Sequence, residues 1–174
     1  MTDCLRPTPI DVDDVTALDA VLAIQARCYG AAFHESRQAF AAKLRAAPGC
    51  AWLVRDALGQ PQAYLFTLPT REDALPALNA QTLAPCAAPT LLYLHDLAVL
   101  PEARAQRLPQ RLLQAMRGRA AALGLSQLAL IAVQGAAPYW QRHGFAAAVA
   151  DSEALRHKLA SFGEGAVWMR QSLA

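Results

Sequence analysis

The sequence is poor in cysteine and histidine, and the few that it has do not form the pattern of a metal site. None of its four cysteines is spaced as a CxxC pair, and its four histidines do not cluster with them. This spacing argues against structural zinc. A 174-residue chain that is 55% hydrophobic also has no need of a disulfide framework. We therefore expect reduced thiols, a cytoplasmic protein and no metal.

Long apolar runs and an excess of one charge are also absent. The first residues lack the apolar stretch of a signal peptide. No run approaches the ~20 residues of a membrane span, because Pro89, His95 and Asp96 interrupt the most apolar segment, 87–100. Sixteen basic residues face fourteen acidic ones, and the arginines are scattered. We therefore expect neither a nucleic acid nor a membrane partner.

Hydrophobic periodicity predicts one α/β (α+β) domain over residues 1–174, with helices packed on a mixed sheet. Helical spacing and capping residues predict helices at 15–29, at 36–46 with Ser36 as its N-cap, at about 108–123 and at 136–143. β-type segments predict strands at 4–8, 50–56, 62–68, 90–99, 127–133, 145–149 and 165–172. Between them, residues 69–89 carry four prolines and little periodicity, which indicates a long excursion with one short helical turn.

One strand-turn-helix stretch, residues 94–113, could carry chemistry. A buried strand that runs through a turn into an amphipathic helix directs backbone N–H groups and the positive end of the helix dipole at one spot. Arg104, Arg107 and Arg111 add positive charge there. The stretch is therefore typical of a pyrophosphate site, although an ordinary crossover with solvated arginines has the same pattern.

The same stretch resembles the central motif of the GNAT superfamily of N-acetyltransferases. In that superfamily a Leu-x-Val strand end is followed by Pro, by Arg/Gln-x-x-Gly-x-Gly/Ala, and by a helix with paired leucines. Here 97–99 and Pro101 match the strand end, Arg104 matches the first loop position, and 112–113 match the helix. A second match is 137–145, similar to the aromatic-Tyr-x-x-x-Gly-Phe segment, and 165–170 looks like the closing strand.

The resemblance implies a mixed, mostly antiparallel sheet of six to seven strands flanked by about four helices. It also implies acetyl-CoA as co-substrate, and many members pair through the sheet end, so a homodimer is one expectation. The positions that match the CoA-binding motif are Leu97, Ala98, Val99, Arg104, Ala105, Gln106, Arg107, Leu108, Pro109, Gln110 and Trp140.

The loop departs from the superfamily pattern at several positions. Arg107 replaces the first glycine, Pro109 the final Gly/Ala, and Ala105 a frequent glycine. Glycine permits unusual φ and close approach of backbone to phosphate, and proline removes a donor. Trp140 stands where a tyrosine often protonates the departing thiolate, and Tyr139 should point about 100° away on a helix. We therefore expect weaker CoA binding than in a typical member, with Trp140 packing on the pantetheine or the core.

Asp96 and Glu35 are the candidate catalytic carboxylates. Asp96 lies among apolar residues, where a carboxylate is costly unless it is used or paired. Glu35 lies in the loop between the first two helices, which often borders the acceptor site in the superfamily. Each also has a structural interpretation, as a hydrogen-bonded core group or a solvated loop charge. For His95 we favour a structural role, and for Tyr29 and Tyr93 a place in the core or cleft wall.

Three functional hypotheses follow. The first is an acetyltransferase in which a small-molecule or protein amine attacks the thioester directly. The second is a degenerate GNAT-like CoA-binding or regulatory module with little catalysis, favoured by Arg107, Pro109 and Trp140. The third is an α/β scaffold without CoA that makes protein contacts. Neither acceptor region, 30–36 or 69–89, carries a code that names the amine.

Overall fold

The computed structural model describes residues 5–174, and its core is a seven-stranded sheet. The strands are β1 (Thr8–Pro9), β2 (Ala51–Arg55), β3 (Pro61–Thr70), β4 (Leu91–Val99), β5 (Gln127–Ala132), β6 (Ala146–Ala147) and β7 (Val167–Ser172). The α-helices are α1 (Val15–Cys28), α2 (Arg37–Ala46), α3 (Leu108–Ala122), α4 (Ala137–Gln141) and α5 (Glu153–Ser161). Of the predicted first strand, Cys4 lies outside the described residues.

The strand order is β1-β2-β3-β4-β5-β7-β6, and every neighbouring pair is antiparallel except β4 and β5. This confirms the predicted mixed, mostly antiparallel sheet of six to seven strands. The β4–β5 pair is parallel because α3 lies between the two strands in the chain and returns it to the same end of the sheet.

Local sequence chemistry accounts for the helix starts. The side chain of Asp14 accepts a hydrogen bond from the N–H of Ala17, and that of Ser36 accepts one from Ala39, so both are N-caps. The apolar stripe of α3 is fully buried, as its spacing predicts. Its members are Leu108, Leu112, Leu113, Met116 and Ala120.

The structure differs from the predicted element order at α5, which makes five helices. Only Leu155 of α5 is buried, so the segment has no apolar stripe to reveal a helix in the sequence. Leu155 packs with Leu91, Tyr93, Ala129 and Trp168 in a second apolar cluster, apart from the main core. The helix therefore depends on tertiary packing and on its Ser152 cap.

The long excursion is present, but it begins later than predicted and contains no helix. Strand β3 continues through Pro69, which lies opposite Leu92, and ends at Thr70. Pairing of β2 with β3 stops at Ala51–Phe66, so at Pro69 only β4 lies beside β3. The missing N–H of Pro69 therefore removes no hydrogen bond to β2. Residues 71–90 then form turns and irregular loop.

We predict that Gly144→Ala destabilises the protein by ~1–2 kcal/mol, because Gly144 has φ +91° and a Cβ there would meet Nε2 of Gln171. Gly118→Ala is the matched control, because Gly118 lies inside α3 with open space around it. This substitution should stabilise the protein by ~0.5–1 kcal/mol. Urea unfolding measures both. Equal effects of the two substitutions would contradict the strain argument.

Candidate active site

The main cleft opens where β4 and β5 separate. The two strands pair only at Leu92–Leu128, Tyr93–Ala129 and Leu94–Leu130. Beyond Leu94 they diverge, and a cavity of about 520 Å³ lies between them. Its volume is in the range of small-molecule and cofactor sites.

A bulge in β4 begins this divergence. Asp96 lies opposite Phe66 and Leu94 opposite Thr67, so His95 is an extra residue without a partner on β3. A bulge bends its strand and increases the local twist. The side chains of His95 and Asp96 then take different directions, the first to Glu35 and the second to two tyrosines.

Past the bulge, β4 presents backbone groups to the cleft. Leu100 donates its N–H to Gln62 of β3, which fixes the alternation of the ladder. By that alternation Leu97 and Val99 direct their N–H and C=O groups away from β3. Their carbonyls accept hydrogen bonds from the Tyr29 hydroxyl (2.7 Å) and the Cys28 thiol (3.4 Å).

The strand leads into the loop for which the sequence analysis predicts an anion site. Residues Pro101–Gln106 form a 3-10 helix, Arg107 takes φ +56° and ψ 29°, and α3 begins at Leu108. An arginine in this left-handed region costs of the order of 1 kcal/mol. The loop therefore has the backbone geometry that glycine adopts easily, although an arginine occupies the position.

This corner of the cleft is electropositive. Arg104, Arg107 and Gln110 line it together with Pro109. The first N–H groups of a helix have no partner inside the helix, and the dipole adds positive potential there. Pro109 removes one of these donors, and the N–H groups of Leu108 and Gln110 remain at the helix start.

An exposed ion pair joins this loop to α1. Arg27 donates to both carboxylate oxygens of Glu102, at 2.6 and 3.1 Å. Both side chains are more than half exposed, so water and salt screen the pair and it adds little to stability. Its consequence is positional, since it holds the end of α1, with Cys28 and Tyr29, beside the loop.

Asp96 lines the cleft at the centre of a buried hydrogen-bond network. The Tyr29 hydroxyl lies 2.8 Å from Oδ1 and the Tyr64 hydroxyl 2.6 Å from Oδ2. Burial raises the pKa of Asp96, and the hydrogen bond from Tyr64 opposes the rise. The Tyr29 hydroxyl also lies 2.7 Å from the Leu97 carbonyl, and a hydroxyl has only one proton for these two acceptors. The Tyr29 proton can therefore serve only one of these two oxygens at a time.

Glu35 lies outside the cleft lining, at the centre of a second buried network. One carboxylate oxygen accepts from His95 Nε2 at 2.7 Å, and the other accepts from Lys43 Nζ at 2.6 Å and from the Asn79 N–H at 2.7 Å. Gln25 holds the Glu35 backbone through its side-chain amide. Burial raises the pKa of Glu35, but the hydrogen bond and the charge of His95, followed by the charge and the hydrogen bond of Lys43, outweigh it and lower the pKa to about 2. Glu35 is therefore ionised.

The structure brings most of the sequence-predicted site residues to one cleft. Those that line it are Asp96, Leu97, Ala98, Val99, Arg104, Arg107, Pro109, Gln110 and Trp140. Ala105, Gln106 and Leu108 lie beside it without lining it, and Leu108 is fully buried. Glu35 reaches the cleft only through His95, which lines it.

An aromatic wall closes the cleft opposite β4. Helix α4 is short, and its Tyr139 and Trp140 both line the cleft, so the expected divergence of their side chains does not separate them. Their ring centroids are 5.1 Å apart, and the His143 ring lies 4.7 Å from Tyr139. Burial raises the pKa of Tyr139. His143 and Cys28 also line the cleft and were not among the predicted site residues, although His143 belongs to the second motif, 137–145.

The described part of the chain was also searched for metal-binding clusters and for membrane-spanning helices. Within residues 5–174, no group of three or more His, Cys, Asp or Glu side chains could hold a metal ion. In the same residues, no helix is long and apolar enough to cross a membrane.

Comparison with known proteins decides the family. A profile of the acetyltransferase (GNAT) family matches residues 18–145, which is most of the chain. The chain belongs to the GNAT acetyltransferase family. The match spans β4, the loop and α3, and it ends at Phe145 of the Gly-Phe segment, so both GNAT motifs in the sequence fall within it. No curated protein sequence matches the chain.

Solved structures share the GNAT fold at low sequence identity. Ard1 from Thermoplasma volcanium has a TM-score of 0.70 at 10% identity, covering 98% of this chain and 99% of its own. The ribosomal-protein-S18-alanine N-acetyltransferase from Escherichia coli has 0.62 at 18%, covering 97% and 93%. N-acetylglutamate synthase from Neisseria gonorrhoeae has 0.67 at 17%, covering 98% of this chain and 35% of the synthase.

We predict that the free energy of unfolding falls as the pH drops from about 4.5 to about 2. Glu35 has a pKa of about 2 in the folded protein, against an ordinary 4.5. Its contribution to stability is therefore complete above pH 4.5 and is lost as the pH falls towards 2. Glu35→Gln should flatten this dependence and cost a few kcal/mol at neutral pH, because Lys43 stays buried without its partner.

Urea unfolding at a series of pH values measures this effect. Glu164→Gln is the control, because Glu164 is exposed and its loss removes the same formal charge. A Glu35→Gln variant with the pH dependence of the wild type would contradict the assignment.

Proposed function

We propose that this GNAT protein transfers the acetyl group of acetyl-CoA to a primary amine of a small molecule or protein by direct attack. The observation that carries the proposal is the continuity of the cleft. It begins with unpaired backbone of β4 and ends at the electropositive start of α3. CoA has the matching chemistry, an extended chain with two amides followed by a pyrophosphate. The structurally similar N-acetylglutamate synthase was crystallised with coenzyme A.

Each part of the cleft has a proposed partner on CoA. The N–H groups of Leu97 and Val99 extend a β-type ladder to the pantetheine amides, and the Ala98 side chain lines the cleft between them. Arg104, Arg107 and the N–H groups at the start of α3 hold the pyrophosphate. Trp140 packs beside the pantetheine. Leu97, Val99, Arg104, Arg107 and Trp140 all line this one cleft.

The chemistry needs a free amine and a polarised thioester. An alkylammonium has an ordinary pKa of ~10.4, so it must give up a proton before it attacks. A β4 backbone N–H can polarise the thioester carbonyl. A thiol has a pKa of ~8.5, so the CoA thiolate leaves without strong acid assistance. We propose that Asp96 holds Tyr29 and the strand in place beside the thioester. Glu35 in turn holds the His95 ring in place at the cleft.

The acceptor enters from the side bounded by the 30–36 loop and the 71–90 excursion. The two segments lie together because Asn79 accepts from the Ser36 N–H at 2.8 Å and donates its own N–H to Glu35 at 2.7 Å. Lys158 of α5 donates to the Pro76 carbonyl at 2.7 Å and holds the far side of the excursion. The proposed acceptor site is therefore bounded by three connected elements, the 30–36 loop, the 71–90 excursion and α5.

A degenerate CoA-binding module is the second candidate. It is favoured by the strained backbone of Arg107, the missing N–H of Pro109 and the absence of an ionisable group on Trp140. Release of free CoA thiol in the presence of primary amines separates the candidates. Turnover supports the transferase, and binding of acetyl-CoA without turnover of any amine supports the module.

We predict that isothermal titration finds micromolar binding of acetyl-CoA, and that Arg104→Ala weakens it about tenfold, because one charge-assisted contact to phosphate is lost. Arg45→Ala is the matched control, since Arg45 is exposed at the end of α2 and does not line the cleft. No binding at millimolar acetyl-CoA would reject both the transferase and the module.

We also predict that Arg107→Gly and Arg107→Ala differ. Both remove the guanidinium, but only glycine relieves the cost of φ +56°. Arg107→Gly should be more stable to urea unfolding than Arg107→Ala by about 1 kcal/mol, because the ligand-free loop already holds the left-handed conformation. Urea unfolding of both variants beside the wild type tests this. Equal stabilities would contradict the strain at this position.

A further inference from the structure

The aromatic wall of the cleft, formed by Tyr139, Trp140 and His143, belongs to α4 and to the turn that follows it. Helix α4 has only five residues, and each of them is half-buried or exposed. A helix this short is not stable alone, so its position depends on contacts from outside it. One such contact is the packing of the Trp140 ring, edge-on, against Phe145, which is 2% exposed. The end of α4 needs a further attachment.

Arg117 of α3 supplies that attachment from behind the cleft. Its Nη2 donates to the His143 carbonyl at 3.0 Å and to Oε1 of Gln171 at 3.0 Å, and its Nε donates to the same Oε1 at 3.2 Å. The side-chain nitrogen of Gln171 in turn donates to the His143 carbonyl at 3.3 Å. These bonds form a closed ring that joins α3, β7 and the turn after α4.

The turn after α4 is shaped to receive this ring of hydrogen bonds. Gly144 has φ +91°, and a Cβ there would meet Nε2 of Gln171, so the backbone passes directly against the Gln171 side chain. Burial, followed by the charge of Arg117, lowers the pKa of His143, so the ring that packs 4.7 Å from Tyr139 is neutral at pH 7. Arg117 therefore acts on His143 both at its carbonyl and at its ring.

We propose that Arg117 is a positioning residue for the cofactor, which sets the distance between the aromatic wall and β4 by holding the end of α4. Arg117 itself lies behind the residues that line the cleft. The inference rests on the proposed function, in which Trp140 packs beside the pantetheine. A wall that is free to move away from β4 would lose this packing, and the affinity for acetyl-CoA would fall.

Arg119, two residues further along α3, makes an equivalent attachment on the other flank of the helix. Its Nη2 donates to the Pro48 carbonyl at 2.9 Å and its Nε to Sγ of Cys50 at 3.5 Å, on either side of Gly49, which has φ +73°. Both arginines are half-buried, and each joins α3 to a glycine turn. They differ in what the turn supports, which is the cleft wall for Arg117 and the start of β2 for Arg119.

The first experiment needs no ligand. The indole N–H signal of Trp140, assigned with Trp140→Phe, reports the position of the wall in proton–nitrogen NMR spectra of the whole protein. Arg117→Ala should shift or broaden this signal, and Arg119→Ala should leave it in place. A Trp140 signal that stays unchanged in Arg117→Ala would overturn the proposal.

The second experiment is isothermal titration with acetyl-CoA, beside urea unfolding of the same variants. Alanine suits a helix interior, so both substitutions remove only side-chain contacts. Arg117→Ala should raise the Kd about tenfold, the equivalent of one or two lost hydrogen bonds. Arg119→Ala should lose a similar amount of stability and bind acetyl-CoA as the wild type does. Equal affinities in the two variants would reject a specific role for Arg117.

Arg117→Lys separates the geometry of the side chain from its charge. Lysine keeps the positive charge but has a single ammonium in place of the planar fork that reaches two acceptors. We expect it to bind acetyl-CoA less tightly than the wild type and more tightly than Arg117→Ala. Wild-type affinity in Arg117→Lys would mean that charge alone attracts the anionic cofactor, against a positioning role. If Arg117→Ala does not fold, this comparison decides.

The outcomes separate this inference from the proposed function. Wild-type protein that does not bind acetyl-CoA at millimolar concentration would overturn both. Wild-type binding that Arg117→Ala and Arg117→Lys leave unchanged would keep the proposed cofactor site and reject the role of Arg117. Weaker binding in the Arg117 variants, with Arg119→Ala unaffected and the Trp140 signal displaced, would establish it.

Discussion

The buried ion pair between Glu35 and Lys43 is the interaction on which the arrangement of the site depends. The Glu35 carboxylate contacts three parts of the chain: Lys43 of α2, His95 of β4 and Asn79 of the excursion. Gln25 of α1 binds the Glu35 backbone. A buried carboxylate tolerates no missing partner, since an unpaired charge there costs several kcal/mol. Because this one charge needs all of its partners, it fixes the positions of four separate parts of the chain relative to the cleft.

The second constraint is the extra residue in β4. A sheet with a regular register would pair β4 and β5 along their length and leave no cleft. The unpaired His95 bends β4 after Leu94, and the strand then presents Leu97 and Val99 to open space. The ladder bonds that β5 no longer supplies are what a ligand with amide groups can replace. The bulge thus precedes the cavity and turns the His95 side chain towards Glu35.

The fold and the loop corner of the cleft were largely predictable, and the buried network behind the cleft was not. Loop residues such as Arg104 and Gln110 follow each other in one motif, so local spacing was enough to group them. Glu35 and His95 are 60 positions apart, and their contact depends on a bulge that no local pattern reveals. Helix α5 also escaped detection, because Leu155 is its only buried residue. Long-range pairings of single polar residues have no periodicity to read.

The loop shows how an unusual sequence can retain the geometry of a site. Arg107 adopts the left-handed conformation in which glycine is at ease, so the chain accepts a cost of about 1 kcal/mol to keep the turn. Pro109 removes an N–H at the second position of α3, one of the donors that no helix satisfies internally. One dipolar donor is therefore lost, while Arg107 brings a full positive charge to the lining of the same cleft. For an anionic ligand a mobile cation can replace a fixed N–H, at the expense of directional precision. In the proposed function, a side-chain charge at this corner takes over part of the role of a backbone donor, while the left-handed turn at Arg107 is kept.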